Sequence, residues 1–358
     1  MNIPPIIMLP PNRIWRTYPG GKILDSIEGK FKGEDNHFPE DWIASTTLAV
    51  NKGREEFTEE GLSHIKIDDL NLSLKTLTEK FSGEILGQKH YKKYGANTQF
   101  LLKFLDSAIR LHIQAHPTIP FAQKYLNSNS GKTEAYIILS IRDDIRSPYI
   151  YLGFQHSVTE EEFKQVIVEQ DTNKMLSFFN KIHIKPGDVF IVPGGLPHAI
   201  GEGVFMIEIM EPTDFVVRLE FERGGYLLPE EARFMGKDIN FALNMINFTP
   251  ISTEKIRQKY FSNPRLIYDK PGGKEFILID KKQTPCFSVN KLYLNGSYNK
   301  NSDSFYVGIV IKGTGKISSG SFDKDIKRGD KYLIPFQTKN VEYFTEKGME
   351  IIFAFPPQ

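Results

Sequence analysis

The chain has 358 residues, enough for two domains that each bury a core. Its formal net charge of +1, with 25% charged residues, gives no sign of a nucleic-acid or membrane-surface binder. The only cysteine is Cys286, so an intrachain disulfide is excluded and a metal site would have to do without several thiolates.

No apolar run approaches the ~20 residues that a membrane-spanning helix needs. Residues 1–11 are apolar, but prolines interrupt them, and they lack the basic region and the small-residue cleavage site of a signal peptide. We therefore expect a cytoplasmic protein with no membrane partner.

Short strand patterns dominate the chain, and helical patterns interrupt them. Residues of about 55–95 are mixed and predict a small helical insertion, and 135–139 predict a strand. Thr159 stands at the capping-box spacing from Glu162 and predicts the start of a helical insertion over about 158–182.

The strand signal then returns and ends in a repeated motif. Residues 190–219 contain three short β-branched or aromatic runs, a helix is expected over about 229–247, and the chain is strand-rich from 263. Gly187-Asp188, four residues and a proline recur as Gly329-Asp330, four residues and a proline, but no histidine follows the second copy.

These patterns predict a mainly β protein with two jelly-roll β-sandwich domains and helical insertions in the first. The first domain is expected to cover residues 1–255 and to bind a metal. The second is expected to cover 256–358 and to lack metal ligands.

Three separated stretches carry side chains suited to a single divalent metal. Gln114 and His116 lie two residues apart, so on a strand they point to the same face. Glu134 opens an apolar strand, and His198 follows a turn rich in glycine and proline. Two imidazoles, a carboxylate and an amide oxygen form a mixed site that suits one zinc ion. Gln114 is alternatively a buried hydrogen-bonding group.

Two charged residues are expected to share the pocket with these ligands. Lys132 lies two residues before Glu134 and on a strand would point the same way; the alternative is a solvated loop lysine. Glu208 alternates with Ile207 and Ile209, so it faces away from its apolar neighbours and towards the pocket.

The far end of the pocket is expected to contain His112 and Arg218. His112 has the strand parity of Gln114 and faces the substrate or supports the ligands. Arg218 ends an apolar strand, and a buried arginine needs an anionic partner. That partner is either Glu208 or Asp214, or it is a phosphate or oxyanion of the substrate.

The turn with Gly187, Pro193, Gly195 and His198 resembles the second motif of the cupin superfamily. The stretches 111–117, 131–134 and 197–218 together resemble type I phosphomannose isomerase. They contain, in the family's order, Gln-x-His-Pro, Lys-x-Glu, Leu-Pro-His-Ala and an Asp four residues before an Arg. Two departures concern the phosphate end: His112 replaces the family's usual serine, and the segment after Arg218 lacks Thr-Pro-Lys.

The resemblance implies a zinc-dependent aldose–ketose isomerase that interconverts mannose 6-phosphate and fructose 6-phosphate through a cis-enediol. The implied zinc ligands are Gln114, His116, Glu134 and His198. Proton transfer and anion stabilisation would fall to Lys132, Glu208 and Arg218. Substrate binding would involve Lys132, Arg218 and His112.

Three alternatives stay open at this point. One is an isomerase of another sugar or sugar phosphate, and another is a metal-dependent dioxygenase, although those enzymes more often use iron. The third is a silent metal-binding cupin that senses sugar phosphates. The expected partner is a small sugar phosphate rather than nucleic acid, and the expected state is a monomer or weak homodimer.

Overall fold

The structure is a computed structural model that describes residues 2–67 and 69–357. It is mainly β, as predicted, and every strand pair in this described part is antiparallel. No helix within it is long and apolar enough to cross a membrane.

The elements up to residue 141 are β1 (Ile7–Leu9), β2 (Arg13–Ile14), α1 (Lys22–Ile27), β3 (Glu40–Ile43), β4 (His64–Ile67), β5 (Leu70–Ser73), α2 (Leu74–Lys80), α3 (Ser82–Ile85), α4 (Gln88–Tyr94), β6 (Leu101–Asp106), β7 (Gln114–Ala115), α5 (Ile119–Tyr125) and β8 (Glu134–Ile141). Those from 149 to 260 are β9 (Tyr149–Leu152), α6 (Glu160–Glu169), α7 (Thr172–Ser177), β10 (Ile182–His183), β11 (Val189–Val192), β12 (His198–Ile200), β13 (Val204–Met210), β14 (Val217–Arg218), β15 (Glu222–Arg223), β16 (Tyr226–Leu227), α8 (Glu230–Arg233), α9 (Ile239–Met245) and α10 (Thr253–Tyr260).

The remaining elements are all strands: β17 (Arg265–Lys270), β18 (Gly273–Ile279), β19 (Ser288–Leu294), β20 (Ser297–Asn301), β21 (Tyr306–Ser319), β22 (Phe322–Lys327), β23 (Lys331–Ile334), β24 (Asn340–Phe344) and β25 (Met349–Phe355).

Two sheets hold the side chains of the candidate site. A five-stranded sheet has the order β10-β9-β12-β7-β14, and a six-stranded sheet has the order β11-β8-β13-β6-β3-β2. In the first sheet His198 pairs with Gln114, which also pairs with Arg218. In the second sheet Glu208 pairs with Lys103. The register therefore aligns polar side chains along the facing surfaces of both sheets.

A third sheet contains β1 together with the strands from β17 onward. Its path is β1-β23-β21-β25-β19-β18-β17, with β20, β22 and β24 attached beside it. A hydrophobic cluster that includes Leu102 and Ile207 as well as Val307 and Ile352 connects this sheet to the six-stranded one. The division at residue 255 stays a prediction, which limited proteolysis tests.

The region of about 55–95 contains more than helices. It forms the antiparallel strands β4 and β5, and only then α2, α3 and α4. The expected helix over about 229–247 is interrupted and forms α8 and α9.

The capping prediction for α6 is confirmed. The Thr159 side chain accepts a hydrogen bond from the backbone N–H of Glu162 at 3.1 Å. The helix ends at Gln170, a left-handed residue with φ of 52°. Its side chain reaches both neighbours of Glu220: it donates to the Leu219 carbonyl at 3.1 Å and accepts from Phe221 N–H at 2.7 Å.

Candidate metal centre and active-site cavity

The three stretches with predicted ligands meet at the backbone of two residues. The His116 carbonyl accepts a hydrogen bond from Gly195 N–H at 2.7 Å, and the Pro117 carbonyl accepts one from Lys132 N–H at 2.9 Å. These bonds connect the loop before Glu134 and the turn before His198 to the end of β7.

Two glycines make this convergence possible. A Cβ atom added to Gly131 or to Gly194 would lie 2.5 Å from the Pro117 carbonyl oxygen. Only a residue without a side chain lets both loops approach that carbonyl so closely. The glycines next to the ligand motifs are therefore required by packing around Pro117.

His116, Glu134 and His198 form one buried cluster, each at most 1% exposed. His116 Nε2 lies 3.0 Å from Glu134 Oε1, and His198 Nε2 lies 3.5 Å from Glu134 Oε2. The structure thus brings together three of the four predicted ligands as side chains that converge on one point.

The hydrogen bonds of the two imidazoles determine their tautomers. His116 Nδ1 donates to the Phe215 carbonyl at 2.8 Å, and His198 Nδ1 donates to the Leu196 carbonyl at 2.9 Å. In a neutral ring the Nε2 atom is then a bare acceptor. Both Nε2 atoms therefore direct lone pairs at the Glu134 carboxylate.

Three acceptors that face one another need a cation between them. Burial lowers the pKa of His116 to about 3 despite the nearby carboxylate, which disfavours a proton in this role. Burial also lowers the pKa of His198. His116 Nε2 is buried and has no hydrogen-bond partner among the described residues. Two imidazoles and a carboxylate in this orientation fit a divalent metal ion.

Gln114 completes the group on the strand beside His198. Its amide nitrogen lies 3.4 Å from His198 Nε2, where it donates to the imidazole lone pair. The oxygen and nitrogen of an amide exchange places by rotation about χ3. Gln114 thus has both of the predicted options: an oxygen ligand or a buried hydrogen-bonding group.

Lys132 is buried and enters the same cavity, as expected for the pocket rather than for solvent. Its Nζ lies 3.6 Å from Glu134 Oε1 and 3.9 Å from Asp214 Oδ1. The loop around it is held by Glu211, whose carboxylate accepts from the N–H groups of Gly131 at 2.9 Å and Thr133 at 3.0 Å. Sequence reasoning did not identify Glu211.

A second charged group on the six-stranded sheet was also not predicted. Lys103 Nζ lies 3.1 Å from both Glu40 Oε1 and Glu208 Oε2. Arg16 donates to Glu40 Oε2 at 2.9 Å and to Asp214 at 3.1 and 3.2 Å. Lys103 is the one polar residue within the run Leu-Leu-Lys-Phe-Leu, a signal that the sequence contains.

Glu208 lies in the cavity, in agreement with its strand parity. Burial and the Glu134 carboxylate raise its pKa well above the usual range, against the opposing effect of Lys103. Burial also raises the pKa of Glu134, but the positive charge nearby, with Lys132 Nζ at 3.6 Å, outweighs it and holds that pKa well below the usual range. The two carboxylates thus differ in proton affinity within one cavity.

Arg218 has neither of the carboxylate partners considered from sequence. Its Nη1 donates to the Ala232 carbonyl at 3.1 Å, and no carboxylate of the described residues lies within 4.0 Å. His112 lines the same cavity, and burial and Arg218 lower its pKa to about 3. His156 and His183 are exposed on the surface and do not line the cavity.

These residues enclose a cavity of about 40 Å³ between the two sheets. Its lining includes four cations, Arg16, Lys103, Lys132 and Arg218, and four carboxylates, Glu40, Glu134, Glu208 and Asp214. A buried cluster of metal-type donors beside groups of different proton affinity is typical of an enzyme active site. The cavity therefore has the features of an enzyme active site, with a candidate metal centre at its wall.

Comparison with known proteins identifies which enzymes the chain resembles. A protein named "Probable mannose-6-phosphate isomerase GmuF" from Bacillus subtilis (strain 168) is 30% identical over 258 residues, which cover 72% of this chain and 74% of that protein. Mannose-6-phosphate isomerase ManA of the same organism is 28% identical over 68% of this chain and 70% of its own length. No family model matches the chain.

Solved structures show the same fold. Mannose 6-phosphate isomerase from Bacillus subtilis superposes with a TM-score of 0.74 and 20% identity, covering 98% of this chain and 99% of that one. A mutant of phosphomannose isomerase from Salmonella typhimurium has a TM-score of 0.72 at 14% identity, covering 99% and 100%. The chain belongs to the mannose-6-phosphate isomerase family, and the resemblance seen in its motifs is confirmed.

Proposed function

We propose that this protein is a zinc-dependent isomerase that interconverts mannose 6-phosphate and fructose 6-phosphate. The observation that carries the proposal is one cavity with two features. The acceptor atoms of His116, Glu134 and His198 converge at one wall of it, where His116 Nε2 has no hydrogen-bond partner among the described residues, and Arg218 has no carboxylate partner among them. The family relatives are named for this activity.

The proposed metal ligands are His116, Glu134, His198 and Gln114, the last with its amide oxygen turned towards the ion. Zinc suits nitrogen and oxygen donors of this kind. When bound, such an ion supplies Lewis-acid polarisation of a sugar oxygen.

Lys132 is the better placed of the two cavity lysines to move a proton. Burial lowers the pKa of Lys132, since Glu134 and Asp214 at 3.6 and 3.9 Å do not compensate fully. Burial acts on Lys103 as well, but Glu208 and Glu40 at 3.1 Å outweigh it and raise the pKa. Lys103 therefore stays an ammonium ion that holds two carboxylates, whereas Lys132 is able to give up its proton.

The proposed reaction moves protons within one sugar. A base removes the proton from C2 of the open-chain aldose, the electrons of that C–H bond form the C1–C2 double bond, and the π pair of the C1 carbonyl moves to O1, which gains a proton to give the cis-enediol. The enediol then loses the proton of O2 and gains one at C1, which yields the ketose. Lys132 and Glu208 are the candidates for these transfers, and a positioned base typically contributes ~10²–10⁴ in rate.

Arg218 is the proposed anchor for the phosphate. Its guanidinium gives up only the Ala232 carbonyl when it binds an anion, and its planar fork suits bidentate contact with phosphate oxygens. A sugar phosphate needs more room than about 40 Å³, so we expect α8 to move away from Arg218 when the ligand enters.

The cytoplasm and a monomeric or weakly dimeric state stay proposals. Both rest on the sequence pattern. Cell fractionation tests the location, and sedimentation of the purified protein tests the oligomeric state.

The decisive experiment incubates the purified protein with mannose 6-phosphate and follows the formation of fructose 6-phosphate, with the metal content measured on the same sample. We expect turnover with about one zinc per chain. Unphosphorylated mannose is the matched control and should react on the order of 10²-fold less well, because the Arg218 contact is lost. Stoichiometric zinc without turnover of either sugar would contradict the proposal.

Two variants separate the roles within the cavity. Lys132→Met should lower kcat by ~10²–10⁴ and change the pH–rate profile. Lys300→Met is the control for loss of a buried lysine away from the cavity and should mainly lower stability. A Lys132→Met protein with an unchanged kcat and pH profile and only a raised KM would assign Lys132 to binding.

A further inference from the structure

Arg110 and Glu220 form a buried ion pair behind the far end of the cavity. The Arg110 guanidinium donates to both oxygens of the Glu220 carboxylate, at 2.6 and 2.7 Å. The two residues are 4% and 1% exposed. A bidentate arginine–carboxylate pair of this kind has a strongly preferred geometry.

The pair contacts the strand that leads to the metal ligands. Glu220 Oε2 also accepts from Ile113 N–H at 2.6 Å, and Leu219 N–H donates to the Ile113 carbonyl at 2.8 Å. The segment after Arg218 and the segment before Gln114 therefore run side by side and are joined by a side chain as well as by backbone.

His112 is held by the backbone of the same glutamate. Its Nδ1 lies 2.9 Å from the Glu220 carbonyl oxygen, which only accepts, so Nδ1 carries a proton. Its Nε2 lies 3.3 Å from Thr17 Oγ1, and both residues line the cavity. In the neutral ring Nε2 is an acceptor, and its partner among the described residues is the Thr17 hydroxyl, which a ligand hydroxyl would replace.

The two departures from the family pattern thus lie in contact. His112 replaces the usual serine, and Glu220 belongs to the segment after Arg218 that differs from the usual one. Because the Glu220 carbonyl orients the His112 ring, the two departures are structurally coupled in this chain.

We propose that Glu220, clamped by Arg110, is a positioning residue that holds His112 so that its Nε2 accepts a hydrogen bond from a hydroxyl of the bound sugar next to Arg218. The inference rests on the proposed function for its substrate class. Arg218 contacts the anionic end of the ligand, and His112 contacts a neutral hydroxyl beside it. A second anion at the His112 position would meet a lone pair and is disfavoured.

The first test does not depend on activity. Ring ¹⁵N spectra of the purified protein should show His112 with a protonated Nδ1 and an unprotonated Nε2, the signal being assigned by its absence in His112→Ala. In Glu220→Gln the His112 signal should shift towards a mixture of tautomers. An unchanged His112 signal in a folded Glu220→Gln protein would overturn the proposal.

The second test is kinetic. Glu220→Gln should raise KM for mannose 6-phosphate about 10-fold with a smaller change in kcat, and should add little to KM in a His112→Ala background. Equal effects of Glu220→Gln in both backgrounds would show that Glu220 is only structural. If the unmodified protein does not turn over the sugar, the proposed function fails, and the spectra still decide the role of Glu220.

Two further proteins keep the test independent of folding. Arg110→Met combined with Glu220→Gln removes both buried charges and should fold where the single change does not, with the same shift of the His112 signal. Glu275→Gln breaks a comparable buried pair with Lys300 in the third sheet. It should lower stability and leave both the His112 signal and KM unchanged.

Discussion

The two copies of the Gly-Asp motif form the same turn in different parts of the molecule. Gly187 and Gly329 have φ of 92° and 94°. The side chains of Asp188 and Asp330 each accept from the backbone N–H three residues earlier, at 3.0 and 2.8 Å. The repeated motif therefore specifies a turn and a following strand, and by itself no chemistry.

The chemistry depends on the residues after the proline. After Pro193, a glycine-rich turn ends at His198 in the candidate metal centre. After Pro335, the ring of Phe336 packs so closely on Gly87 that a Cβ there would lie 2.7 Å away. One copy thus presents a proposed ligand, and the other packs a half-buried aromatic ring.

The buried polar groups of the third sheet and those of the cavity differ in how completely they are hydrogen-bonded. In the third sheet, Glu275 accepts from Lys300 and Asn290, both at 2.7 Å, and from the Tyr298 hydroxyl. Each of these contacts joins a donor to an acceptor. At the cavity, Glu134 faces two imidazole nitrogens, and His116 Nε2 has no donor among the described residues. A complete hydrogen-bond set indicates a structural cluster, whereas acceptors without donors indicate a binding site.

The largest effect is expected from removing the ligand that faces both histidines. Glu134→Ala should reduce bound metal to near zero and turnover by on the order of 10³-fold or more, because the charge that balances the ion is lost. Metal analysis and the isomerase assay measure both. Full metal content in Glu134→Ala would show that the Glu134 cluster is not a metal site and does not differ in this respect from the Glu275 cluster of the third sheet.

The matching change in the third sheet should affect stability alone. Glu275→Gln leaves Lys300 buried without its carboxylate and should lower the free energy of unfolding by ~3–5 kcal/mol. Urea denaturation measures the loss. Activity per folded molecule should be unchanged; a loss of metal in this variant would show that the third sheet also serves the site.

Acid should destabilise the cavity region specifically, since all eight histidines precede residue 199. Burial lowers the pKa of His112 and of His116 from about 6.5 in the unfolded chain to about 3 in the fold. Between these two pH values the unfolded chain therefore binds more protons than the folded one. The stability of the metal-free protein should be complete above about pH 6.5 and fall below it, by up to ~1.4 kcal/mol per pH unit for each histidine.

Two variants sharpen this pH prediction. His112→Asn should reduce the slope of unfolding free energy between pH 6.5 and 5, where unfolded carboxylates are already mostly ionised. The exposed His183 serves as control, and His183→Gln should leave the slope as it is. Equal slopes in all three proteins would argue against buried neutral His112.

The smallest effect is expected on stability, from replacing the turn glycines Gly187 and Gly329 by alanine. Gly187→Ala meets no atom within 4 Å, so it should cost only the ~1–2 kcal/mol of a left-handed backbone. Gly329→Ala has the same strain, and its Cβ would lie 2.2 Å from Ile27 Cγ2. The second change should therefore lower the melting temperature more than the first. The reverse order would mean that the two turns are not equivalent.

Much of the site could be predicted from local patterns. The parity of Gln114 and His116, the glycine-rich turn before His198 and the spacing of Lys132 from Glu134 all depend on neighbours in the sequence. Such patterns determine which side chains share a face, because strand and turn geometry is local. They also predicted the mainly β fold from its many short strands.

Other features followed only from tertiary contacts. Arg16, Glu40 and Lys103 come from three separate strands or loops, and nothing local shows that their charges compensate one another. The partner of Arg218 was open between Glu208, Asp214 and the substrate, and the structure places a backbone carbonyl there.

By itself the sequence determined the turns, the strand faces and the identity of the metal-type donors, because these depend on residues a few positions apart. The tertiary structure alone decided which charges pair, which acceptors stay without donors and how Glu220 orients His112. These depend on distances between segments about a hundred residues apart in sequence, which only packing of the sheets brings to a few ångströms.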